Sequence, residues 1–152
     1  MARQARLPAD IIKFIPEHHG TTLISYFYNR ATENAGTEQV LEKDFRYDGP
    51  RPQSKETAVL MLADSTEAAV RSLKAPTPEQ IEGLVHKIIR DRLNDGQLDE
   101  SNLTLKDLDV IGDTFIHTLA GLYHSRIQYP ETEKELEALQ QRRTKDASHR
   151  GE

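Results

Sequence analysis

The chain has 152 residues, 36% hydrophobic and 30% charged, with a formal net charge of −5, six histidines and no cysteine. That length is enough for one domain with a real core. The acidic balance argues against a nucleic-acid polymer as partner, and the missing cysteines exclude disulfides and thiolate metal sites, so any metal must be held by histidine and carboxylate.

The longest apolar run, "AVLMLA" at residues 58–63, is too short to span a bilayer, and no basic-then-apolar signal segment opens the chain. A cytoplasmic placement is the expectation. The hydrophobic spacing is helical almost throughout. "PADIIKFIPEHHG" reads as a short helix in which Pro8 suits the first turn, Pro16 predicts a kink or break before the histidines, and Gly20 stops the run. A second helix is expected from Leu23 to about Ala35, with Leu23, Phe27 and Arg30 on one face.

"DFRYDGPRPQSKE" is a loop, because Asp48-Gly49 followed by Pro50 and Pro52 cannot continue a helix. Ser54 then caps a long helix expected over Lys55 to Leu73. The same grammar returns at Thr77, with Pro78 in the first helical position and Asn94-Asp95-Gly96 as the stop. Ile81, Leu84, Val85, Ile88, Ile89 and Leu93 give that helix an apolar stripe. Thr104 caps a last long helix to about Arg126, with Leu108, Ile111, Phe115, Leu119 and Leu122 as its buried face. From residue 131 to 152 the chain is a charged tail, expected to be partly disordered. No convincing strand is found. The fold class is all-α, with one domain over residues 1–130.

Two features could carry chemistry. His18 and His19 stand together before Gly20. Adjacent side chains on a helix point about 100° apart, so both reach one ion only at a helix end or kink. The pair is either a polar helix end, favourable beside the terminal carbonyls, or a metal site. The second feature is Asp64, which helical spacing places on one side with Leu60, Met61, Ala68 and Arg71. An acid on an apolar face must be paired or bound to a cation. A salt bridge to Arg71 or to a neighbouring helix, and a metal ligand, are the two readings. Arg46, Arg51 and Lys55, with Tyr47 between them, are candidates for phosphate contacts. His86, His117 and His124 have no partner at ligand spacing and read as structural or surface residues. "NDGQLDESNLTLKDLD" lacks the register and closing glutamate of a calcium loop, so it reads as a turn plus a helix cap.

Taken together, "EHHGTTLISYFY", "DFRYDGPRPQSKETAVLMLADSTEAAVRSL", "KIIRDRLNDGQLDESNLTLKDL" and "HSRIQYP" resemble the C-terminal part of the cytoplasmic HD domain of the seven-transmembrane HD-domain family, the membrane-anchored cyclic-di-AMP phosphodiesterases. The resemblance implies an all-helical phosphohydrolase with two divalent metal ions, iron or manganese, that hydrolyses cyclic di-AMP to pApA. It places His18 and His19 on the histidine pair that ligates one metal, and Asp64 on the aspartate that ligates the other. The family's His-Asp dipeptide occurs nowhere in this sequence, and no histidine precedes His18. The expectation is therefore an incomplete HD helical bundle, truncated at the N-terminus, catalytically inactive by itself and attached to a membrane only through segments it lacks. Its uncovered helical faces could self-associate. Two other readings stay open: an HD phosphohydrolase acting on another nucleotide, and a non-catalytic helical interaction module.

Overall fold

In the computed structural model the described residues are 6–36 and 39–124. Five α-helices follow in order: α1 (Ala9–Glu17), α2 (Ser25–Asn34), α3 (Lys55–Arg71), α4 (Pro78–Asn94) and α5 (Leu105–His124). A short 3-10 helix, Glu42–Phe45, lies between α2 and α3. Among the described residues there is no strand, only an isolated antiparallel bridge between Leu23 and Arg46. The class is all-α, as expected. None of the described helices is long and apolar enough to cross a membrane. The described residues up to 121 belong to one compact unit, and of the second only residues 122–124 are described, as helix. The expected boundary at 130 and the tail at 131–152 lie outside the described residues.

The three long helices start where local chemistry dictates. The Thr57 N–H donates to the Ser54 hydroxyl (3.3 Å) and the Ser54 N–H donates to Thr57 Oγ1 (3.3 Å), so each satisfies a group the first turn leaves open. Thr77 and Gln80 repeat the exchange with Pro78 in the first helical position. At α5 the Asp107 N–H donates to Thr104 Oγ1 (3.1 Å) and the Thr104 N–H to Asp107 Oδ2 (2.9 Å). Each cap joins residues only three apart, so local sequence sets the start of each helix.

Packing then selects one face of each helix. Ala58, Met61 and Leu62 of α3, Leu98 of the turn after α4 and Leu108 of α5 form the buried cluster. Ile89, Leu103, Ile111 and Phe115 close around it. Ile81 and Val85 are fully buried on α4, so burial at these positions supplies about 1.5–3 kcal/mol each. Three expectations are corrected here. Leu60 and Leu122 are exposed rather than packed. Leu23 does not begin α2, because its backbone is taken up by the bridge to Arg46. Phe27 is exposed, and α2 buries no residue at all. On α1, Ile11 and Ile15 are likewise exposed.

Candidate functional site

The histidine pair sits on a turn built by the end of α1. Pro16 stays inside the helix, which ends one residue later, at Glu17, with His18 as its C-cap. His18 Nδ1 lies 2.7 Å from the Phe14 carbonyl. A carbonyl can only accept, so Nδ1 carries the proton and Nε2 keeps its lone pair free. This is how a protein orients an imidazole as a ligand. The turn closes through the Gly20 N–H to the Glu17 carbonyl (3.1 Å) and through the Thr22 N–H (3.2 Å) and hydroxyl (2.8 Å) to the His19 carbonyl. Off the helix, the two imidazoles are released from helical spacing: their ring centres are 3.9 Å apart with planes tilted by 38°.

Gly20 is required for two reasons. Its φ is +55°, and a Cβ there would lie 2.5 Å from Gln97 Oε1 and 2.6 Å from Met61 Cε. Gln97 is fully buried. It accepts from the Thr21 N–H (2.9 Å) through Oε1, and its Nε2 donates to Asp95 Oδ2 (2.9 Å). The turn is thus fastened to the C-terminal end of α4. Glu17, also buried, accepts from the Gln53 N–H (3.0 Å) and the Thr57 hydroxyl (2.8 Å), which fastens the other side to the start of α3.

The loop after the 3-10 helix lies along the same turn. The Ile24 N–H donates to the Phe45 carbonyl (2.8 Å) and the Tyr47 N–H to the Thr22 carbonyl (3.1 Å). Tyr47 is thereby stacked on His19, with centroids 4.4 Å apart and planes 12° from parallel. Between them, Arg46 donates to the Thr21 carbonyl (2.8 Å), to both Asp95 oxygens (3.1 and 2.8 Å) and to Glu42 Oε1 (2.9 and 2.6 Å). Those carboxylates raise its pKa further above the usual arginine value.

An open cavity of about 420 Å³ lies against this turn. His18, His19 and Tyr47 line one side, Asp64 and Ser65 of α3 another, and Asp91 and Arg92 of α4 a third. Burial lowers the His19 pKa, His18 lowers it further, and Asp64 partly offsets both. A neutral imidazole is the form that binds a metal. Asp64 itself is solvent-exposed. The expectation of an acid on a buried apolar face is therefore corrected: Met61 turns inward and Asp64 faces the open cavity. Nor does it pair with Arg71, whose partner is Glu67 at 3.2 Å.

His18, His19 and Asp64 thus line one cavity, although the aspartate lies far along the chain from the pair. Among the described residues no three His, Asp or Glu side chains converge on the geometry of a single ion. The donors present have the right chemistry for divalent metals, two imidazoles and a carboxylate. Arg46, Arg51 and Lys55 do not line the cavity. Arg46 holds the loop as described, Arg51 is 4.0 Å from Asp99, and Lys55 is 2.7 Å from Asp107. His86 and His117 are exposed on α4 and α5, away from it. Sequence reasoning missed Gln97, Ser65 and Arg92, since nothing local marks them as neighbours of the histidines.

No family model matches the chain. It is 49% identical over 136 residues to the cyclic-di-AMP phosphodiesterase PgpH of Bacillus subtilis (strain 168), and 46% identical over 129 residues to that of Listeria monocytogenes serotype 1/2a (strain 10403S). These matches cover 90% and 85% of this chain but only 19% and 18% of the relatives. The chain therefore spans about a fifth of the length of these curated relatives. Among solved structures, the L. monocytogenes PgpH HD domain in complex with cyclic-di-AMP superposes with a TM-score of 0.77 at 46% identity. That match covers 84% of this chain and 59% of the HD-domain chain.

Proposed function

We propose, from the premise that this chain is part of an HD domain of the PgpH kind, that it supplies one side of the centre of a metal-dependent cyclic-di-AMP phosphodiesterase. The observation that carries the reading is the shared cavity of His18, His19 and Asp64. His18 and His19 hold one divalent ion and Asp64 a second, iron or manganese by the resemblance, with further ligands drawn from parts of the HD domain that this chain does not contain. Bound there, the ions supply Lewis acidity toward the phosphodiester and lower the pKa of a bound water.

The chain's own residues prepare that site without the ions. The Phe14 carbonyl fixes the His18 tautomer, so Nε2 remains the available donor. Stacking on Tyr47 restrains the His19 ring. The depressed pKa of His19 keeps its imidazole neutral at neutral pH. The exposed apolar side chains of α1 and α2, Ile11, Ile15, Tyr26 and Phe27, belong in this reading to faces that the rest of the domain covers. The same reading puts the site on the cytoplasmic side of a membrane-anchored protein.

The reading is tested by assaying conversion of cyclic di-AMP to pApA with added Mn2+, in this chain and in a protein that extends it with the parts of the HD domain it does not contain. The chain alone is expected to give no turnover, because a site short of ligands loses metal affinity. The complete domain is expected to turn over and to lose at least about 100-fold of its rate on His18→Ala, His19→Ala or Asp64→Ala. Turnover that survives all three substitutions would refute the assignment.

A further inference from the structure

Arg92 is a cation in this cavity with little to hold it. It projects from the last turn of α4, and its Nη2 donates to the Ser65 hydroxyl at 3.2 Å. Ser65 follows Asp64 directly, and all three residues line the cavity with the histidines. The Arg92 Nε is buried and has no hydrogen-bond partner among the described residues. The two acids that act on it electrostatically are already engaged elsewhere: Asp91 with Lys87, and Asp95 with Arg46 and Gln97. Both act on Arg92 only at a distance, and burial, the largest influence, lowers its pKa below the usual arginine value. Even so lowered, a guanidinium stays charged at neutral pH.

A partly buried cation without a counter-ion is unfavourable, and an orphaned N–H adds to the cost. Such a group is stabilised by an arriving anion that takes the spare donors. Among the described residues lining the cavity, Arg92 alone is a lysine or arginine. Arg46, Arg51 and Lys55 have carboxylate partners outside it. The guanidinium fork is matched to two oxygens of one phosphate.

We infer that Arg92, steadied by Ser65, is the phosphate-binding cation of this cavity, engaging non-bridging oxygens of the phosphodiester beside the metal ligands. The inference rests on the proposed phosphodiesterase reading, because it takes the cavity as the place where a phosphodiester lies. It assigns Arg92 to substrate binding and Ser65 to positioning.

The test is an NMR titration of the arginine Nε–H signals of this chain with inorganic phosphate and then with cyclic di-AMP, without metal. The Arg92 signal is expected to shift saturably, while those of Arg46 and Arg51 stay in place. Arg92→Lys keeps the charge but loses the fork and is expected to weaken binding about tenfold. Ser65→Ala is expected to weaken it less, with recovery in Ser65→Thr. An Arg92 signal that does not move, or arginine signals that all move alike, overturns the inference. Because that signal is read in the folded wild-type chain, the outcome does not depend on whether any variant folds. Metal binding at His18 and His19, followed separately through their ring signals with Mn2+, keeps the two assignments apart. Selective Mn2+ binding with a silent Arg92 defeats this inference alone. A saturable Arg92 shift without selective Mn2+ binding supports it and defeats the metal assignment.

Discussion

Residue by residue, the site depends on backbone groups as much as on side chains. The Phe14 carbonyl sets which His18 nitrogen is free, and only the end of α1 brings that carbonyl within 2.7 Å. Gly20 makes the same turn possible by adopting a φ of +55° and leaving room for Gln97 and Met61. Gly20→Ala is expected to destabilise the chain by about 1–3 kcal/mol, seen as a lower midpoint in urea unfolding. The buried amide of Gln97 cannot retreat without losing its bonds to Thr21 and Asp95, which is why the larger part of that range is expected. A midpoint equal to wild type would show that the turn does not need the glycine.

Between elements, the loop over residues 42–47 is held to the histidine turn chiefly by Arg46. Its guanidinium reaches Thr21, Glu42 and Asp95 together, and hydrogen bonding to it lowers the Asp95 pKa. Arg46→Ala is expected to cost about 2 kcal/mol, discounted from a fully buried pair because the side chains remain partly exposed. It should also release Tyr47 from His19, which a changed chemical shift of the His19 ring protons reports. Preserved stability with an unmoved His19 signal would contradict the clamp. A second tie joins the starts of α3 and α5, where Lys55 and the Thr104 cap hold the Asp107 carboxyl down at about 2. Since that value lies below the unfolded one near 3.8, the tie stabilises the fold above that pH and is lost as pH falls towards about 2. Wild type is expected to lose helical circular dichroism in that window more steeply than Asp107→Asn, and the difference should shrink in high salt. Equal acid curves at low salt would show the tie to be without effect.

Local and long-range information divide cleanly along these elements. The starts of α3, α4 and α5 are legible in the sequence because a cap and its partner lie three residues apart. The start of α2 is not, because Leu23 is claimed by Arg46 through a backbone bridge that sequence spacing does not reveal. Spacing gives Asp64 the wrong environment, since it groups residues on one helix side without saying whether that side is covered. Arg46 and Lys55 stand close together in the sequence, whereas the carboxylates that tie them to other elements, Asp95 and Asp107, lie 49 and 52 residues along the chain. Arg92 escapes notice for the same reason, since Ser65 is 27 residues away.

At the scale of the molecule, His18, His19 and Asp64 line one open cavity. The chain matches 59% of the solved HD-domain chain, and under the proposed reading His18, His19 and Asp64 are fewer ligands than two ions require. Ile11 and Ile15 of α1 and Tyr26 and Phe27 of α2 are exposed, and the proposed reading assigns them to faces that the rest of the HD domain covers. The proposed reading predicts that a divalent ion favours the His18–His19 turn over the other histidines, a preference that can be read even where affinity is low. The decisive measurement adds Mn2+ in small amounts to this chain and follows the histidine ring signals by NMR. His18 and His19 are expected to broaden first, while the exposed His86 and His117 keep their line widths. Uniform broadening of all four, or broadening of His86 and His117 ahead of the pair, would refute the placement of a metal at this turn.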